Sequence, residues 1–339
     1  MKKNKKVSLK DIAKEVGVSI ATVSYVLSSA KNGRVSDEMS KKIKKVAAKR
    51  NYRPNRIAQS LKSGKTNTIG LVLADISNPF FASIARIIED EAAKLNYTVI
   101  FGSSDEKAEK SSRLIDFLSS HQVDGFIIAP SEGSELDIKN LITQNIPFVL
   151  IDRYFPEIES NYVVVDNFKA SYQAVEQLAE SGKKKIAMLA YSGGLFHMEE
   201  RIRGYETVLE RDALSTESSL LKRIEFENIE KDVKLAIDAL ISSKESIDAV
   251  FFATNTLAIH GLKYLDELGF NVPNDIAIAS FDESEAFDFY YCPLTHVKQP
   301  LLEMGKKAVQ VLITQISNPE TEVSQLSLDA KLIVRESSG

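Results

Sequence analysis

The sequence predicts an all-α helix-turn-helix head followed by an α/β body of two lobes with parallel sheets. Three observations support this prediction. Residues 1–65 are strongly basic, whereas the rest of the chain is acidic. Two short amphipathic segments near the N-terminus are separated by a tight glycine turn. From Thr68 onward, short apolar runs alternate with longer segments of helical periodicity, as in repeated βα units.

The charge is divided unevenly along the 339 residues, a length typical of two or three domains. Residues 1–65 hold 18 lysines and arginines and 4 aspartates and glutamates, a net charge of +14. The remaining residues hold 25 lysines and arginines and 43 aspartates and glutamates, a net charge of −18. A basic module joined to an acidic body favours nucleic acid as the partner of the first. A solvated lysine-rich tail is less favoured, because the basic segment is strongly patterned.

Two short helices are predicted at the start of the head. Ser8-Leu9-Lys10-Asp11 forms a capping box for the first, and Gly17 ends it. Ser19 can cap the second helix, whose N-terminal residues would face base edges in a major groove. Ile20 and Ala21 suit contacts with thymine methyl groups there, since neither side chain can hydrogen-bond.

A third helix is predicted from a Ser36 cap to Arg50, with acidic residues at its start and basic residues at its end. The following segment, from Pro54 to Gly64, predicts about two further helical turns with a small apolar face. A helix this short is marginal alone in water. Its cationic surface favours a nucleic acid or a second copy as its partner. A basic interdomain linker is the alternative.

The body is predicted to contain two α/β units. Its apolar runs include Ile69–Ala74, Phe148–Ile151 and Ala249–Ala253, and amphipathic segments lie between such runs. Continuous apolar strands in this alternation indicate parallel sheets covered by helices on both faces. Ligands bind to such sheets beyond the carboxyl ends of the strands. Two units of this kind predict a two-lobed sugar-binding type of fold with a cleft between the lobes.

Polar side chains follow predicted strands of both units. Asp152 and Arg153 follow one strand, and Asn255 and Asp282 follow two others. Carboxylate, amide and guanidinium groups in an apolar cleft suit sugar hydroxyls, since each makes two directional hydrogen bonds. A role as helix caps or turn residues is the alternative for the two aspartates. The chain has no tryptophan, so a ring stacked on a ligand would come from Phe80, Tyr154 or Phe226.

Motifs in both parts of the chain occur in the order and near the spacing of one family. Those in the head are Asp11-Ile12-Ala13, Gly17-Val18-Ser19, Thr22-Val23-Ser24, Asn51-Tyr52-Arg53-Pro54-Asn55 and Ala58-Gln59-Ser60-Leu61. Those in the body are Ile76-Ser77-Asn78-Pro79-Phe80-Phe81, Val123-Asp124-Gly125, Arg201-Ile202-Arg203-Gly204-Tyr205, Phe281-Asp282 and Pro293-Leu294-Thr295. Over nearly its whole length the chain resembles the lactose/galactose repressor (LacI/GalR) family. It departs from that pattern in a longer loop at 28–34 and at Thr256, where the family usually has aspartate.

The resemblance implies how DNA is contacted. In that family the segment matching residues 54–64 folds into a hinge helix on DNA, and two hinge helices of a dimer enter the minor groove. The leucine matching Leu61 wedges into a base step and kinks the duplex. The predicted DNA-binding residues are Ser19, Ile20, Ala21, Thr22, Ser24, Tyr25, Arg34, Tyr52, Asn55, Arg56, Ala58, Gln59 and Leu61.

The resemblance also implies the domain boundaries, with a head at 1–53, a hinge at 54–67 and an effector-binding and dimerisation domain at 68–339. This domain is expected to have the type I periplasmic-binding-protein-like fold. Lobe 1 would comprise 68–164 and 295–324, and lobe 2 would comprise 165–294 and 325–339. Arg201 matches the family's ligand-binding arginine. The predicted effector-binding residues are Phe80, Asp152, Arg153, Arg201, Phe226, Asn255 and Asp282.

No pattern in the sequence is typical of an enzyme, a cofactor site or a membrane protein. The four histidines lack metal-ligand spacing, and no P-loop, G-x-G-x-x-G or G-x-S-x-G motif occurs. The single cysteine, Cys292, fits a reducing compartment. With neither a signal-peptide pattern nor an apolar run of membrane length, a cytoplasmic location is expected. We therefore expect no catalysis, no cofactor and no metal.

These observations predict a homodimeric, sequence-specific transcriptional regulator, with repression favoured by the resemblance. It would bind a pseudo-palindromic double-stranded DNA operator, as two-fold symmetry requires. A small metabolite in the cleft, preferably a sugar or sugar phosphate, would control DNA affinity. Because no heptad pattern follows Val334, a dimer is expected rather than a tetramer. The alternatives are a sugar-capture binding protein without DNA function, against which the basic head argues, and a global regulator controlled by a partner protein.

Overall fold

The computed structural model describes residues 7–27, 35–52, 64–214, 220–242 and 247–339. The chain forms two compact units, Met1–Thr66 and Asn67–Gly339. The division falls inside the segment predicted to be the hinge, and residues 53–63 of that segment lie outside the described ranges.

The head contains the helices α1 (Leu9–Val16), α2 (Ile20–Leu27) and α3 (Asp37–Lys49). The predicted capping box is present, since the backbone N–H groups of Ser8 and Asp11 each donate to the other residue's side chain. Gly17 ends α1 at φ 81°, in the left-handed region that favours glycine. Ser19 Oγ accepts from the Thr22 backbone N–H at 3.0 Å and so caps α2. The three helices bury a common core of Ile12, Ala13, Val16, Val23, Ile43 and Ala47.

The body alternates strands and helices. Its strands are β1 (Thr68–Leu73), β2 (Thr98–Ser103), β3 (Gly125–Ile128), β4 (Phe148–Ile151), β5 (Tyr162–Val165), β6 (Ile186–Tyr191), β7 (Leu221–Ile224), β8 (Ala249–Phe252), β9 (Ala277–Phe281), β10 (Thr295–Lys298), β11 (Gln325–Leu328) and β12 (Lys331–Ile333). Its helices are α4 (Pro79–Lys94), α5 (Ala108–Ser120), α6 (Glu135–Thr143), α7 (Asn167–Glu180), α8 (Phe196–Arg211), α9 (Ile229–Ile241), α10 (Asn255–Glu267), α11 (Ala286–Phe289) and α12 (Leu301–Ser317).

The described strands form two six-stranded sheets of the same topology, which defines the two lobes. The order is β11-β5-β4-β3-β1-β2 in lobe 1 and β12-β10-β9-β8-β6-β7 in lobe 2. The predicted parallel pairing holds for every pair except β10 and β12, which run antiparallel. The inner strands β1, β3, β4, β8 and β9 are almost wholly buried, as their continuous apolar runs predict. The edge strand β2 contacts the helices α4 and α5, but it is partly exposed because one of its edges has no neighbouring strand.

The predicted lobe boundaries are wrong at three points. β5 includes Val165 and lies in lobe 1, β10 lies in the sheet of lobe 2, and β11 pairs with β5 in lobe 1. The chain therefore crosses between lobes after β5, between β10 and α12, and between β11 and β12. As a result, α7, which follows β5 of lobe 1, packs on α8 of lobe 2. Likewise α12, which follows β10 of lobe 2, packs on α4 of lobe 1. Strand pairing across long sequence separations decides these boundaries, and local composition carries little trace of it.

Within the described residues, no helix is long and apolar enough to cross a membrane.

Candidate functional site

A cavity of about 510 Å³ lies between the two lobes, where the carboxyl ends of the parallel strands meet. Both lobes contribute to its wall, which is mixed in character: apolar and aromatic side chains alternate with carboxylates and guanidinium groups. Six of the seven predicted effector-binding residues line it, namely Phe80, Asp152, Arg153, Arg201, Phe226 and Asp282. The volume suits a ligand of one or two sugar rings.

Asp152 and Asp282 occupy equivalent positions in the two lobes. Asp152 follows β4, and Asp282 follows β9, the strand in the same place of the second sheet. Both have positive φ, 68° and 70°, which aspartate tolerates better than most residues. Both are buried, and burial raises the pKa of Asp152 to about 6 against the lowering effect of Arg153 and Arg201. Burial also raises the pKa of Asp282. Asp282 does not cap the helix that follows it, which begins after Glu285. Both aspartates lie in bends directly after a strand, so the alternative role as turn residues stays open.

Arg153 is held by two carboxylates of its own lobe. Its Nη1 and Nη2 donate to the two oxygens of Glu106 at 2.5 and 2.7 Å, a bidentate pair. Its Nε lies 3.3 Å from Asp152 Oδ2. Glu106, which also lines the cavity, is the main cause of a raised pKa at Arg153. The guanidinium is thus engaged before any ligand arrives.

Arg201 projects from α8 of lobe 2 and is held mainly by uncharged oxygens. Its Nε donates to Asn167 Oδ1 and its Nη1 donates to the Ala253 carbonyl, both at 2.8 Å. The guanidinium lies over the ring of Phe281, 3.5 Å from its centroid, and Asp282 Oδ2 is 3.9 Å from Nη1. Burial lowers the pKa of Arg201. Its Nη2 makes no hydrogen bond within the described part of the chain, so this atom can serve a ligand.

Several lining residues are not predicted from the sequence, among them His197 and Tyr191. His197 lies in the first turn of α8, one helical turn before Arg201, and this i, i+4 spacing is the signal that could have found it. Burial and both cavity arginines lower its pKa well below the usual value, and its Nδ1 has no hydrogen-bond partner. The imidazole is therefore neutral near pH 7. Tyr191 ends β6, and its ring lies 5.6 Å from that of Phe226.

The aromatic residues proposed for stacking divide into two groups. Phe80 and Phe226 line the cavity from opposite lobes. Tyr154 instead stacks on Tyr162, with a centroid distance of 4.2 Å, and packs edge-on against Phe196. Phe80 and Phe226 therefore stay predicted stacking residues, whereas Tyr154 serves packing.

Asn255, the seventh predicted residue, does not line the cavity. It is fully buried at the start of α10, where its Nδ2 is 3.4 Å from Asn78 Oδ1 of lobe 1 and 3.3 Å from the Glu283 carbonyl. The prediction that it contacts the effector is corrected to a contact between the lobes. The adjacent Thr256, noted as a departure from the family pattern, lines the cavity instead.

Two further contacts join the lobes at the mouth of the cavity. The Gly194 backbone N–H of lobe 2 donates to Glu132 Oε1 of lobe 1 at 2.8 Å. Lys107 Nζ of lobe 1 and Glu227 Oε1 of lobe 2 form an exposed ion pair at 3.4 Å. Together with Asn78 and Asn255, these contacts hold the lobes against each other.

The predicted DNA-binding residues of the head divide into those that the structure describes and those outside the described ranges. Ser19, Ile20 and Ala21 are exposed at the start of α2, and Thr22, Ser24 and Tyr25 are half-buried. Tyr52 is half-buried against the head core, and burial raises its pKa. The described ranges do not include Arg34, Asn55, Arg56, Ala58, Gln59 and Leu61.

The described residues contain no group of histidine, cysteine and acidic side chains that could hold a metal ion.

A helix-turn-helix head and a two-lobed α/β body with a polar, ligand-sized cavity define the class of DNA-binding regulators that carry their own effector domain. Comparisons with known proteins agree for both units. The family described as bacterial regulatory proteins, lacI family, matches residues 8–55, and the periplasmic binding protein-like domain matches residues 175–338. The chain belongs to the lacI family of bacterial regulatory proteins.

Similar proteins match along nearly the whole chain. A ribose operon repressor of Halalkalibacterium halodurans is 32% identical over 331 residues, covering 98% of this chain and 97% of that protein. The transcriptional regulator RegA of Clostridium acetobutylicum is 35% identical over 339 residues, covering 97% and 98%. Catabolite control protein A of Priestia megaterium is 30% identical over 335 residues, covering 98% and 99%. The names of these relatives are those of regulatory proteins.

Solved structures agree in fold. A complex of the transcriptional regulator CelR with cellobiose has a TM-score of 0.73 at 26% identity and covers 98% of this chain and 100% of that one. A LacI family regulator from Enterococcus faecium with bound ribose has a TM-score of 0.69 at 28% identity, covering 80% and 98%. The lac repressor dimer bound to operator and the anti-inducer ONPF has a TM-score of 0.85 at 23% identity, covering 98% and 99%, and shows the shared fold.

Proposed function

We propose that this protein is a homodimeric transcriptional repressor whose affinity for a pseudo-palindromic operator is set by a sugar-class ligand in the interlobe cavity. One observation carries the proposal. Each lobe brings a buried aspartate from the equivalent strand end to one cavity of about 510 Å³, and Arg201 lies beside them with a free donor. Hydroxyl groups can donate to the carboxylates and accept from the guanidinium at the same time.

Two similar proteins support a sugar as the ligand class. The solved regulator from Enterococcus faecium is described with ribose, and CelR is described with cellobiose. D-ribose and cellobiose are therefore the first ligands to test with this chain. Native mass spectrometry of the purified protein, searching for a co-purified metabolite, extends the test beyond these two.

The first turn of α2 supports DNA reading by the head. Ser19, Ile20 and Ala21 are exposed there, and Ile20 leaves 48% of its surface in water although it is a large aliphatic residue. The charge of +14 over residues 1–65 would attract the phosphate backbone. We expect operator affinity to fall steeply with salt concentration for this reason.

Exposed apolar side chains on the body support a dimer. On lobe 1, Ile100 and Phe101 of the edge strand β2 are 40% and 57% exposed. On lobe 2, Phe289 and Tyr291 are 87% and 60% exposed. Large apolar side chains that are this exposed are candidates for a protein–protein interface. Sedimentation of the wild-type protein and of Phe101→Asp tests this step, with a dimer expected for the first and dissociation for the second.

The contacts between the lobes give a route from ligand to DNA. A ligand that bridges Asp152 and Asp282 would favour one interlobe arrangement, and the position of the hinges would follow. The central experiment measures operator binding by fluorescence anisotropy, with DNA selected from genomic fragments, and ligand binding by calorimetry. Leu61→Ala is expected to weaken operator binding at least tenfold by removing the minor-groove wedge, with ligand affinity unchanged.

Unchanged operator affinity in Leu61→Ala would contradict the wedge role. Failure of the full-length protein to enrich any genomic fragment would favour the sugar-capture alternative. Control of DNA binding by a partner protein with no response to any small molecule would favour the global-regulator alternative.

A further inference from the structure

The charges that line the interlobe cavity do not balance. Four carboxyl groups face two guanidinium groups, and the described lining residues include no lysine. The two lining histidines do not offset the difference, because burial lowers the pKa of both below the usual value. The acidic residues are Asp75, Glu106, Asp152 and Asp282, and the basic residues are Arg153 and Arg201.

The charge of Arg153 is already offset by carboxylates of its own lobe. Glu106 occupies both of its terminal nitrogens, and Asp152 lies 3.3 Å from the third. The side chains of Arg153 and Glu106 are only 10% and 17% exposed, so this pair is largely shielded from water. One guanidinium thus lies beside two carboxylates, and the net charge of the three groups is negative.

Arg201 is better suited to donating a hydrogen bond to a ligand than to balancing a ligand's negative charge. Two of its nitrogens donate to uncharged oxygens, and Asp282 lies 3.9 Å away. The remaining nitrogen, Nη2, makes no hydrogen bond within the described residues and can donate to a ligand. A hydroxyl oxygen fits this one nitrogen, whereas a phosphoryl group calls for donors from several groups around it.

Helix ends add little positive potential. The N-terminus of α4 is capped by Asn78, whose side chain accepts from the Phe80 backbone N–H, and that of α10 is capped by Thr254. Two helices, α8 and α9, begin at the cavity without a side-chain cap. A helix N-terminus is equivalent to about half a positive charge, so these two ends add about one charge against two excess carboxylates.

Building on the proposed function, we propose that this cavity selects an uncharged polyhydroxylated ligand and rejects its phosphorylated counterpart. Glu106 is the specificity-determining residue, because it neutralises Arg153 and so leaves the charge of the other lining carboxylates uncompensated. Hydroxyl groups could donate to Asp152 and Asp282 while accepting from Arg201. A phosphoryl dianion would face the same carboxylates with their charge uncompensated.

The first test uses inorganic sulfate, a tetrahedral dianion whose charge does not change near neutral pH. Thermal shift and calorimetry compare sulfate with chloride at equal ionic strength. The wild type is expected to show no sulfate-specific stabilisation. Glu106→Gln is expected to bind sulfate about tenfold more tightly, because Arg153 is released from an opposing charge. Asp75→Asn, which leaves the Arg153 pair intact, is expected to give a smaller gain.

Glu109→Gln is the matched control. Glu109 is an exposed residue of α5, so its substitution changes the net charge equally without touching Arg153. Adding Arg153→Met to Glu106→Gln is expected to abolish the gain. Sulfate binding by the wild type as tight as that of Glu106→Gln would overturn the proposal. An equal gain in Glu109→Gln would overturn the role of Glu106.

The second test compares D-ribose with D-ribose 5-phosphate and D-glucose with D-glucose 6-phosphate. For any pair that binds, the uncharged member is expected to bind about 100-fold more tightly, and Glu106→Gln is expected to narrow this ratio. Preference of the wild type for a phosphorylated member would overturn the inference. Both tests are performed without DNA, so a loss of operator binding would count against the proposed function alone. The sulfate result decides the matter even if neither pair binds.

Discussion

The two lobes of the body share one strand order but use the same site position differently. In lobe 1, Asp152 belongs to an ionic network with Arg153 and Glu106, all from the same lobe. In lobe 2, Asp282 accepts from Gln299 Nε2 at 2.6 Å and stands 3.9 Å from Arg201. At equivalent backbone positions, Asp152 therefore lies next to an arginine that is already paired with a carboxylate. Asp282 lies near an arginine that still has an unused donor.

This difference suggests a division of roles within the cavity. In lobe 1 the guanidinium of Arg153 is paired with Glu106 before any ligand binds, so this network is suited to fixing shape and repelling anions. Arg201 of lobe 2 retains an unused donor, so it is suited to making a new bond when ligand enters. Preorganised groups cost little reordering on binding, and an unused donor adds affinity. Substitutions on the two sides should therefore have unequal effects.

The largest effect is expected for Arg201→Met. The substitution removes the proposed ligand donor and leaves Asp282 without its cationic neighbour, so ligand affinity should fall about 100-fold. Calorimetry with the ligand identified by native mass spectrometry measures this loss. Thermal unfolding of the ligand-free variant separates lost binding from lost folding.

Arg203→Met is the matched control for this substitution. Arg203 lies two residues further along α8, is exposed, and pairs with Glu200. Its substitution should leave ligand affinity within about twofold, as expected of an exposed ion pair. Equal losses in the two variants would contradict the special position of Arg201.

The second prediction concerns pH and separates the two aspartates. Burial raises the pKa of Asp152 from 3.8 to about 6, with Glu106 and Asp282 raising it and Arg153 and Arg201 lowering it. An ionised carboxylate accepts ligand hydroxyls, so affinity should be constant above this pKa and fall up to about tenfold per pH unit below it. Calorimetry from pH 5 upward in Asp152→Asn should lose this step. If the fall in affinity at low pH persists in Asp152→Asn and disappears in Asp282→Asn, it belongs to Asp282 and not to Asp152.

The same pKa shift has a consequence for stability without ligand. Between pH 3.8 and about 6, the folded protein holds a proton on Asp152 that the unfolded chain releases. The free energy of unfolding contributed by this group therefore falls as pH rises through that interval. Urea unfolding at several pH values should show a weaker fall in Asp152→Asn than in the wild type.

The smallest effect is expected at the mouth of the cavity. A Cβ at Gly193 would collide with Glu132 Oε2, the side chain that accepts from Gly194 across the lobes. Gly193→Ala should therefore displace a flexible side chain and lose one hydrogen bond between lobes. Ligand affinity should fall about three- to tenfold.

Gly182→Ala is the control, since Gly182 also has positive φ but has no neighbour near its Cβ position. A similar loss in both variants would show that backbone strain, not the contact between lobes, is responsible.

Local patterns in the sequence predict most elements of the fold. The bounds of β4 are those expected, and Ser8, Gly17 and Ser36 mark helix ends as predicted. The strands β7, β10 and β11 are missed. β7 and β11 are partly exposed edge strands, and β10 is polar in composition, so none of them has the continuous apolar run of an inner strand.

The candidate site shows the same limit. Sequence reasoning finds the residues that directly follow inner strands, such as Asp152 and Asp282. It does not find Glu106, which pairs with Arg153 from 47 positions away along the chain. It also places Asn255 in the cavity, whereas the fold turns this residue toward Asn78. A strand end identifies which edge of the sheet a residue reaches, but not the direction of its side chain.

The sequence by itself determines a basic helix-turn-helix head, a body of repeated βα units and the strand ends that meet at a ligand site. These features follow from periodicity, caps and charge, all of which act between near neighbours in the chain. Only the tertiary structure decides on which lobe α7 and α12 pack, that β11 pairs with β5, and that Arg153 forms an ion pair with Glu106. These depend on contacts between distant residues, whose partners are chosen by the packing of the whole body.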